Sequence, residues 1–246
     1  LPINIRRLPE QVDFAEKIEY VLNANQVARD LGDEIKQVTV AAGDLHKRVQ
    51  IANSDGEYIE DETARVRLMV NVVAARGDQV QTGQEVVGGV SGWELLEQVA
   101  LEDLAAGAAR RAIAMLSAPP APAGCMPVVM HADAGGTMIH EACGHGLEAD
   151  LVQKGLSVYS NKIGQIVASP IVSVVDDATL PGKYGSYRWD DEASPARRTL
   201  LIEDGYLRGF LNDRLSAARA GTELTGNGRR ESYMEKPIPR MSNTFI

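Results

Sequence analysis

Arg65-Val-Arg-Leu-Met-Val-Asn-Val72 places Val66, Leu68, Val70 and Val72 in alternation with Arg65, Arg67 and Asn71. Successive side chains of a strand point to opposite faces, so this stretch reads as a strand with one buried and one wet face. The pattern continues on both sides. Upstream, Val38 and Val40 alternate with Gln37 and Thr39, and Val49 and Ile51 lead into the turn Asn53-Ser-Asp-Gly56. Downstream, Arg76-Gly77-Asp78 reads as a hairpin turn into a strand near 79–87, and Gly88, Gly89 and Gly92 break the pattern. The implied element is a twisted antiparallel sheet.

Helical periods flank the sheet. Over residues 10–29, Val12, Ala15, Ile18 and Leu22 recur at helical spacing among Glu10, Asp13, Glu16 and Lys17, with Gly32 as a stop. A longer helix is expected over 93–117, with Leu96, Leu104, Ala108, Ala112 and Met115 near one stripe. Then comes Ser117-Ala-Pro-Pro-Ala-Pro-Ala-Gly124, the clearest linker in the chain, because its prolines remove donors and stiffen the backbone. It sets the expected boundary between an N-terminal α+β domain, 1–118, and a second mixed α/β domain, 119–246.

That second domain should open with a strand over 126–130, followed by a Gly135-Gly136 turn and a helix over about 137–150. Ile171 to Val175 reads as a buried strand, and Asp204-Gly205 as a hairpin turn between 200–203 and 206–211. A short helix is expected over 214–220. The fold class is α+β.

Bulk composition excludes several functions. Of 246 residues, 44% are hydrophobic and 24% charged, which is ordinary for a globular protein. The net charge of −9 disfavours nucleic acid, and basic pairs such as Arg110-Arg111 and Arg229-Arg230 are scattered. Two cysteines, Cys125 and Cys143, are too few for a disulfide framework; both read as reduced, which fits the cytoplasm. No apolar run is long enough for a membrane span, and the first residues lack a signal-peptide layout. They also lack an initiator Met, so the true start is expected upstream.

The chemistry concentrates in the expected helix of the second domain. His140-Glu-Ala-Cys-Gly-His145 holds two of the chain's four histidines and a carboxylate next to one of them. Neutral imidazoles hold zinc, the metal lowers the pKa of a bound water, and a neighbouring carboxylate can move the proton. His140 and His145 are therefore candidate metal ligands and Glu141 a candidate general base. Five positions on a regular helix separate side chains by about 140°. One ion therefore requires a π-type turn or a break between Ala142 and Gly146, made easier by Gly144 and Gly146.

Other polar segments carry open alternatives. His131 and Asp133 could support the metal ligands or simply lie in a loop or at a strand end. Asp190-Asp-Glu192 could offer a carboxylate or form a solvated acidic loop. Asp176-Asp177 reads as a turn, and Thr225 to Arg230 as a peptide clamp or a surface loop. Cys143 reads as a packing residue, and Glu148 as a possible substitute ligand.

His140-Glu-Ala-Cys-Gly-His-Gly-Leu-Glu-Ala-Asp150 resembles the signature of the TldD/PmbA family, also called modulator of DNA gyrase proteins. Ile51-Ala-Asn-Ser-Asp-Gly56, Pro120-Ala-Pro-Ala-Gly124, Val174-Val-Asp-Asp177, Leu180-Pro-Gly182, Asp190-Asp-Glu192, Thr225-Gly-Asn-Gly-Arg-Arg230 and Pro239-Arg-Met-Ser-Asn-Thr244 are similar to further stretches of its TldD branch. The resemblance implies a zinc metallopeptidase acting on unfolded or modified peptides in the cytoplasm. It implies assembly as a homodimer, or as a heterodimer with a PmbA-type subunit that lacks the metal motif. It also implies a longer protein of which this chain is the middle. The family's third ligand, a Cys near the C-terminus, corresponds to neither Cys125 nor Cys143, so two ligands alone should bind zinc weakly. Two rival readings stand beside it: a non-catalytic binding or scaffolding subunit with a vestigial motif, and a zinc hydrolase of non-peptide amides.

Overall fold

The computed structural model describes residues 5–246, apart from the side chain of Asp133. Two compact units form. Among the described residues one comprises 5–47 with Glu62–Met126, and the other Arg48–Asp61 with Pro127–Ile246.

The first unit contains most of β1 (Ile35–Ala52) and β2 (Tyr58–Arg76) and all of β3 (Gln79–Val90), strands hydrogen-bonded in that order. The β2–β3 register runs from Arg65 opposite Val90 to Arg76 opposite Gln79. Val66, Leu68, Val70 and Val72 are all fully buried, as the alternation requires. Each contributes about 1.5–3 kcal/mol by leaving water. The glycines do not end β3, since Gly88 and Gly89 pair with Arg67 and Val66 inside it.

The expected helix over 93–117 is two helices. After α1 (Phe14–Arg29) and the sheet, α2 (Glu94–Glu97) is separated from α3 (Leu101–Met115) by Ala100, whose φ −69°, ψ 88° leaves the helical region. Ala105, Ala108, Ala109 and Ala112 of α3 are buried. A Cβ on Gly83 of β3 would lie 2.1 Å from the Ala108 carbonyl oxygen. Strand and helix backbones thus touch, which only small residues allow. In α1 the buried residues are Ala24 and Ala28, while Ile18 and Leu22 are exposed. The conspicuous apolar stripe is not the core face, because the close-packed interior takes the smaller side chains. Tyr20 adds a hydrogen bond from its hydroxyl to the Leu96 carbonyl at 2.7 Å and an edge contact to Trp93.

The second unit contains α4 (Ala132–Ile139), α5 (Ala149–Gln153) and α6 (Arg214–Ala220), with short strands β4 (Val174–Asp177), β5 (Arg198–Glu203), β6 (Tyr206–Leu207), β7 (Gly228–Arg229), β8 (Ile238–Pro239) and β9 (Thr244–Phe245). One sheet has the order β6-β5-β4-β9, and β7 pairs with β8. Leu147, Val174, Leu201, Ile202, Leu207, Leu211 and Met241 form its apolar core. The β5–β6 turn has Asp204 at φ 48° and Gly205 at φ 83°, the left-handed pair its dipeptide signals. Asp213 caps α6 by accepting from Ser216 N at 2.7 Å.

Three local expectations fail here. Met126–Met130 forms no strand; Val128 and Val129 are exposed, and an apolar run alone supplies no ladder partner. Ile171 is exposed and the strand begins at Val174, so Asp176 and Asp177 lie in β4 rather than in a turn. The Gly135-Gly136 pair lies inside α4 instead of preceding it. Among the described residues no helix is long and apolar enough to cross a membrane.

Candidate metal centre

α4 ends at the buried Ile139, and the chain then winds through a π turn, His140–Gly144, and a 3₁₀ turn, His145–Leu147. The His145 N–H donates to the His140 carbonyl, the i→i+5 bond that adds one residue to the turn. This is the deformation that five-residue spacing demands, and it returns position 145 over position 140. The two imidazole centroids lie 4.7 Å apart with planes at 87°. Nitrogen atoms of His140 and His145 and a carboxylate oxygen of Glu141 all lie within 4.8 Å of one another. His140 and Glu141 are exposed and His145 half-buried, so the cluster faces solvent.

Neighbouring segments force the turn. Leu147 is fully buried in the core, and Glu148 is extended at φ −78°, ψ 122°. The Leu211 N–H donates to the Leu147 carbonyl, and Ala149 N–H to the Leu211 carbonyl, each at 2.9 Å, so the helix cannot continue. A Cβ on Gly144 would come 1.9 Å from the Met241 sulfur, and one on Gly146 2.9 Å from the Tyr159 ring. The glycines thus serve close approach as well as flexibility. Cys143 packs against the same core, and Tyr159 beside it has its phenol pushed up to about 12 by burial and the Cys143 contact.

Behind His145 lies Glu148, fully buried. His145 Nδ1 is 3.2 Å from Glu148 Oε2, and Arg240 Nη1 donates to the same oxygen at 2.9 Å. Burial pushes the Glu148 carboxyl above its usual range, opposed by His145 and by the Arg240 charge. Glu148 is therefore behind the histidine rather than among the three converging groups.

Among the described residues no other candidate joins the cluster. His131 is exposed just before α4, and the side chain of Asp133 lies outside the described structure. Asp190 is buried, not in a solvated loop, and accepts from the N–H groups of Glu192, Ser194 and Gly228 at 2.8–2.9 Å. Burial pushes its carboxyl up against those donors. Glu192 accepts from Arg214 N at 2.8 Å. In the 225–230 segment, Asn227 is buried and Arg229 donates to the Met241 carbonyl at 2.9 Å.

Sequence reasoning assigned no role to Arg240 and Met241. Their stretch, 239–244, carries only the family resemblance in sequence. It is held by Asp176, which accepts from Ser242 N, Ser242 Oγ, Thr244 Oγ1 and Asn227 Nδ2 at 2.7–2.9 Å. Asn243 Nδ2 adds a bond to the Asp177 carbonyl at 2.7 Å. Nothing in local sequence pairs position 176 with 242 and 244.

Comparisons with known proteins find relatives over most of the chain. A model of the PmbA/TldA metallopeptidase C-terminal domain matches residues 123–246, and one of the PmbA/TldA metallopeptidase central domain matches residues 7–116. The chain is 41% identical to a metalloprotease of Methanocaldococcus jannaschii, over 97% of this chain and 52% of that protein. It is 37% identical to a metalloprotease TldD homolog of Haemophilus influenzae, over 96% of this chain and 50% of the relative. A Saccharolobus solfataricus relative, 28% identical over 94% of this chain and 52% of its own length, is named a zinc metalloprotease TldD homolog. A Thermotoga maritima crystal structure named for modulation of a DNA gyrase superimposes with TM-score 0.83 at 26% identity, covering 96% of this chain and 53% of that one. The chain spans about half the length of the curated relatives it matches.

Proposed function

Because the chain belongs to the PmbA/TldD family of metallopeptidases, we propose that it carries the metal centre of a zinc-dependent peptidase subunit acting on unfolded or modified peptides. His140 and His145 hold the metal and Glu141 is the general base. The observation that carries this reading is the convergence of the three side chains within 4.8 Å on one turn. Two neutral imidazoles with a carboxylate beside them to serve as base suit a zinc-type ion, and the name of the Saccharolobus relative supports zinc.

Zinc, when bound, supplies Lewis acidity to the scissile carbonyl and to water. The chain supplies the rest. The π turn holds two nitrogens on one side of the helix. Glu141, exposed beside them, takes a proton from the attacking water onto a carboxylate oxygen and delivers it to the departing amide nitrogen. The same reading places the protein in the cytoplasm, supported by free Cys125 and Cys143, and pairs it with a second copy or a PmbA-type subunit. We also divide it into domains 1–118 and 119–246, supported by the family-model matches that end at 116 and begin at 123.

Glu141→Gln in the full-length polypeptide tests the assignment. Peptide turnover should fall roughly 10²–10⁴-fold while metal content stays unchanged. Undiminished turnover would remove Glu141 from the mechanism. An unmodified protein that takes up no zinc would favour the scaffolding reading. Cleavage of a peptide library distinguishes a peptidase from an amidase of other substrates.

A further inference from the structure

A histidine can offer a metal only one ring nitrogen, and which one is set by the hydrogen bond the other makes. In this chain His145 Nδ1 lies 3.2 Å from Glu148 Oε2, and the ring centroid lies 4.7 Å from that of His140. An ionised carboxylate only accepts, so the proton belongs on Nδ1 and Nε2 is left with its lone pair.

The surroundings of Glu148 are costly for a residue with only a packing role. It is fully buried, and its Oε1 has no hydrogen-bond partner among the described residues. A buried carboxylate with one oxygen unsatisfied opposes folding. An apolar residue of similar size would fill the same space beside Leu147 without that cost. A charged donor on Glu148, Arg240, is delivered by the segment anchored through Asp176 and Asn227. Arg240 Nη1 also donates to the carbonyl of Pro239 at 2.7 Å, which fixes the guanidinium against its own backbone.

We infer that Glu148 is a positioning residue for His145: it holds the ring in the Nδ1–H tautomer and aims Nε2 at the site, and Arg240 holds Glu148. This rests on the metal reading above only for its purpose, since the tautomer itself is a property of the metal-free chain. It also assigns the 238–245 segment a task, carrying a distant anchor to the back of the metal turn. Glu148 Oε2 is thereby engaged by His145 and Arg240, and Glu148 is not among the three groups that converge within 4.8 Å.

The first experiment uses no mutation of Glu148. In the metal-free full-length protein at about pH 8, where an ordinary imidazole is neutral, ¹⁵N resonances of His145 are assigned by comparison with His145→Ala. The Nδ1–H tautomer is expected. A dominant Nε2–H tautomer overturns the inference. The second experiment titrates Zn²⁺ against a competing chelator in the unmodified protein, Glu148→Gln and Arg240→Met, with folding checked by circular dichroism. Glu148→Gln should weaken binding roughly 10–100-fold and mix the His145 tautomers, and Arg240→Met should weaken binding less. Unchanged zinc affinity in a folded Glu148→Gln protein overturns the inference. Should the unmodified protein bind no zinc, the metal reading fails, while the tautomer result still decides the role of Glu148.

Discussion

In the unit built on β2, the buried positions are filled by Val66, Leu68, Val70, Val72 and the alanines of α3; in the unit that carries the histidines, many are filled by Glu148, Asp176, Asp177, Asp190 and Asn227. The first arrangement relies on apolar burial, which has no direction and tolerates small displacements. The second relies on hydrogen bonds, each of which fixes an angle and a distance. A metal centre needs ligand atoms placed to a fraction of an ångström, and directional bonds supply that placement. The proposed metal-binding turn accordingly sits in the unit whose loops are pinned by buried carboxylates.

The sharpest way to break this comparison is Asp176→Ala. Four donors would lose one acceptor, and at about 1 kcal/mol each the unit should lose about 4 kcal/mol. Hydrogen exchange should accelerate around 238–245 and around His145, while the β2 core stays protected; uniform acceleration in both units would sink the contrast. Leu68→Ala makes the reciprocal test. It should cost about 3 kcal/mol through the cavity it leaves and raise exchange in β1–β3, with zinc affinity unaffected.

Gly144→Ala comes next. The added methyl meets the Met241 sulfur, and overpacking of this kind costs about 2 kcal/mol. Zinc affinity should fall with it, because relieving the clash moves either the π turn or the segment that bears Arg240. A variant with unchanged affinity and stability would show that the turn and Met241 are not tightly packed.

The smallest expected effect lies in the sheet unit. Glu94 is buried there; burial pushes its carboxyl up, but N–H donors from Arg6, Arg7 and Gly92 outweigh that, and the net direction is below 4.5. A depressed folded pKa means the stabilisation is present above 4.5 and is lost as pH falls through the lower folded value. Acid unfolding of the sheet unit followed between pH 5 and 2 should therefore lose about 1 kcal/mol of pH dependence in Glu94→Gln. An identical acid profile would contradict it.

Legibility in sequence tracked the same division. β2 and its hairpin turn were readable because a period of two is a local property of the chain. The π turn was readable for a chemical reason, since His140 and His145 cannot meet on a regular helix. Ile18 and Leu22 misled, because spacing shows that a helix has an apolar stripe but not which stripe the core accepts. Asp176, Asp190 and Asn227 read as turns and loops because isolated polar residues look solvated until their distant donors are known.

By itself the amino-acid order determined the α+β class, the alternating sheet, the resemblance to a metallopeptidase family and the three groups proposed to carry its chemistry. Only tertiary structure decided that Glu148 stands behind His145, that Arg240 holds it, and that Met241 closes on Gly144. Periodicity and capping are set within one or two turns of chain. Those contacts join residues as much as 97 positions apart, where hydrogen-bond satisfaction in three dimensions, and no local preference, selects the partner.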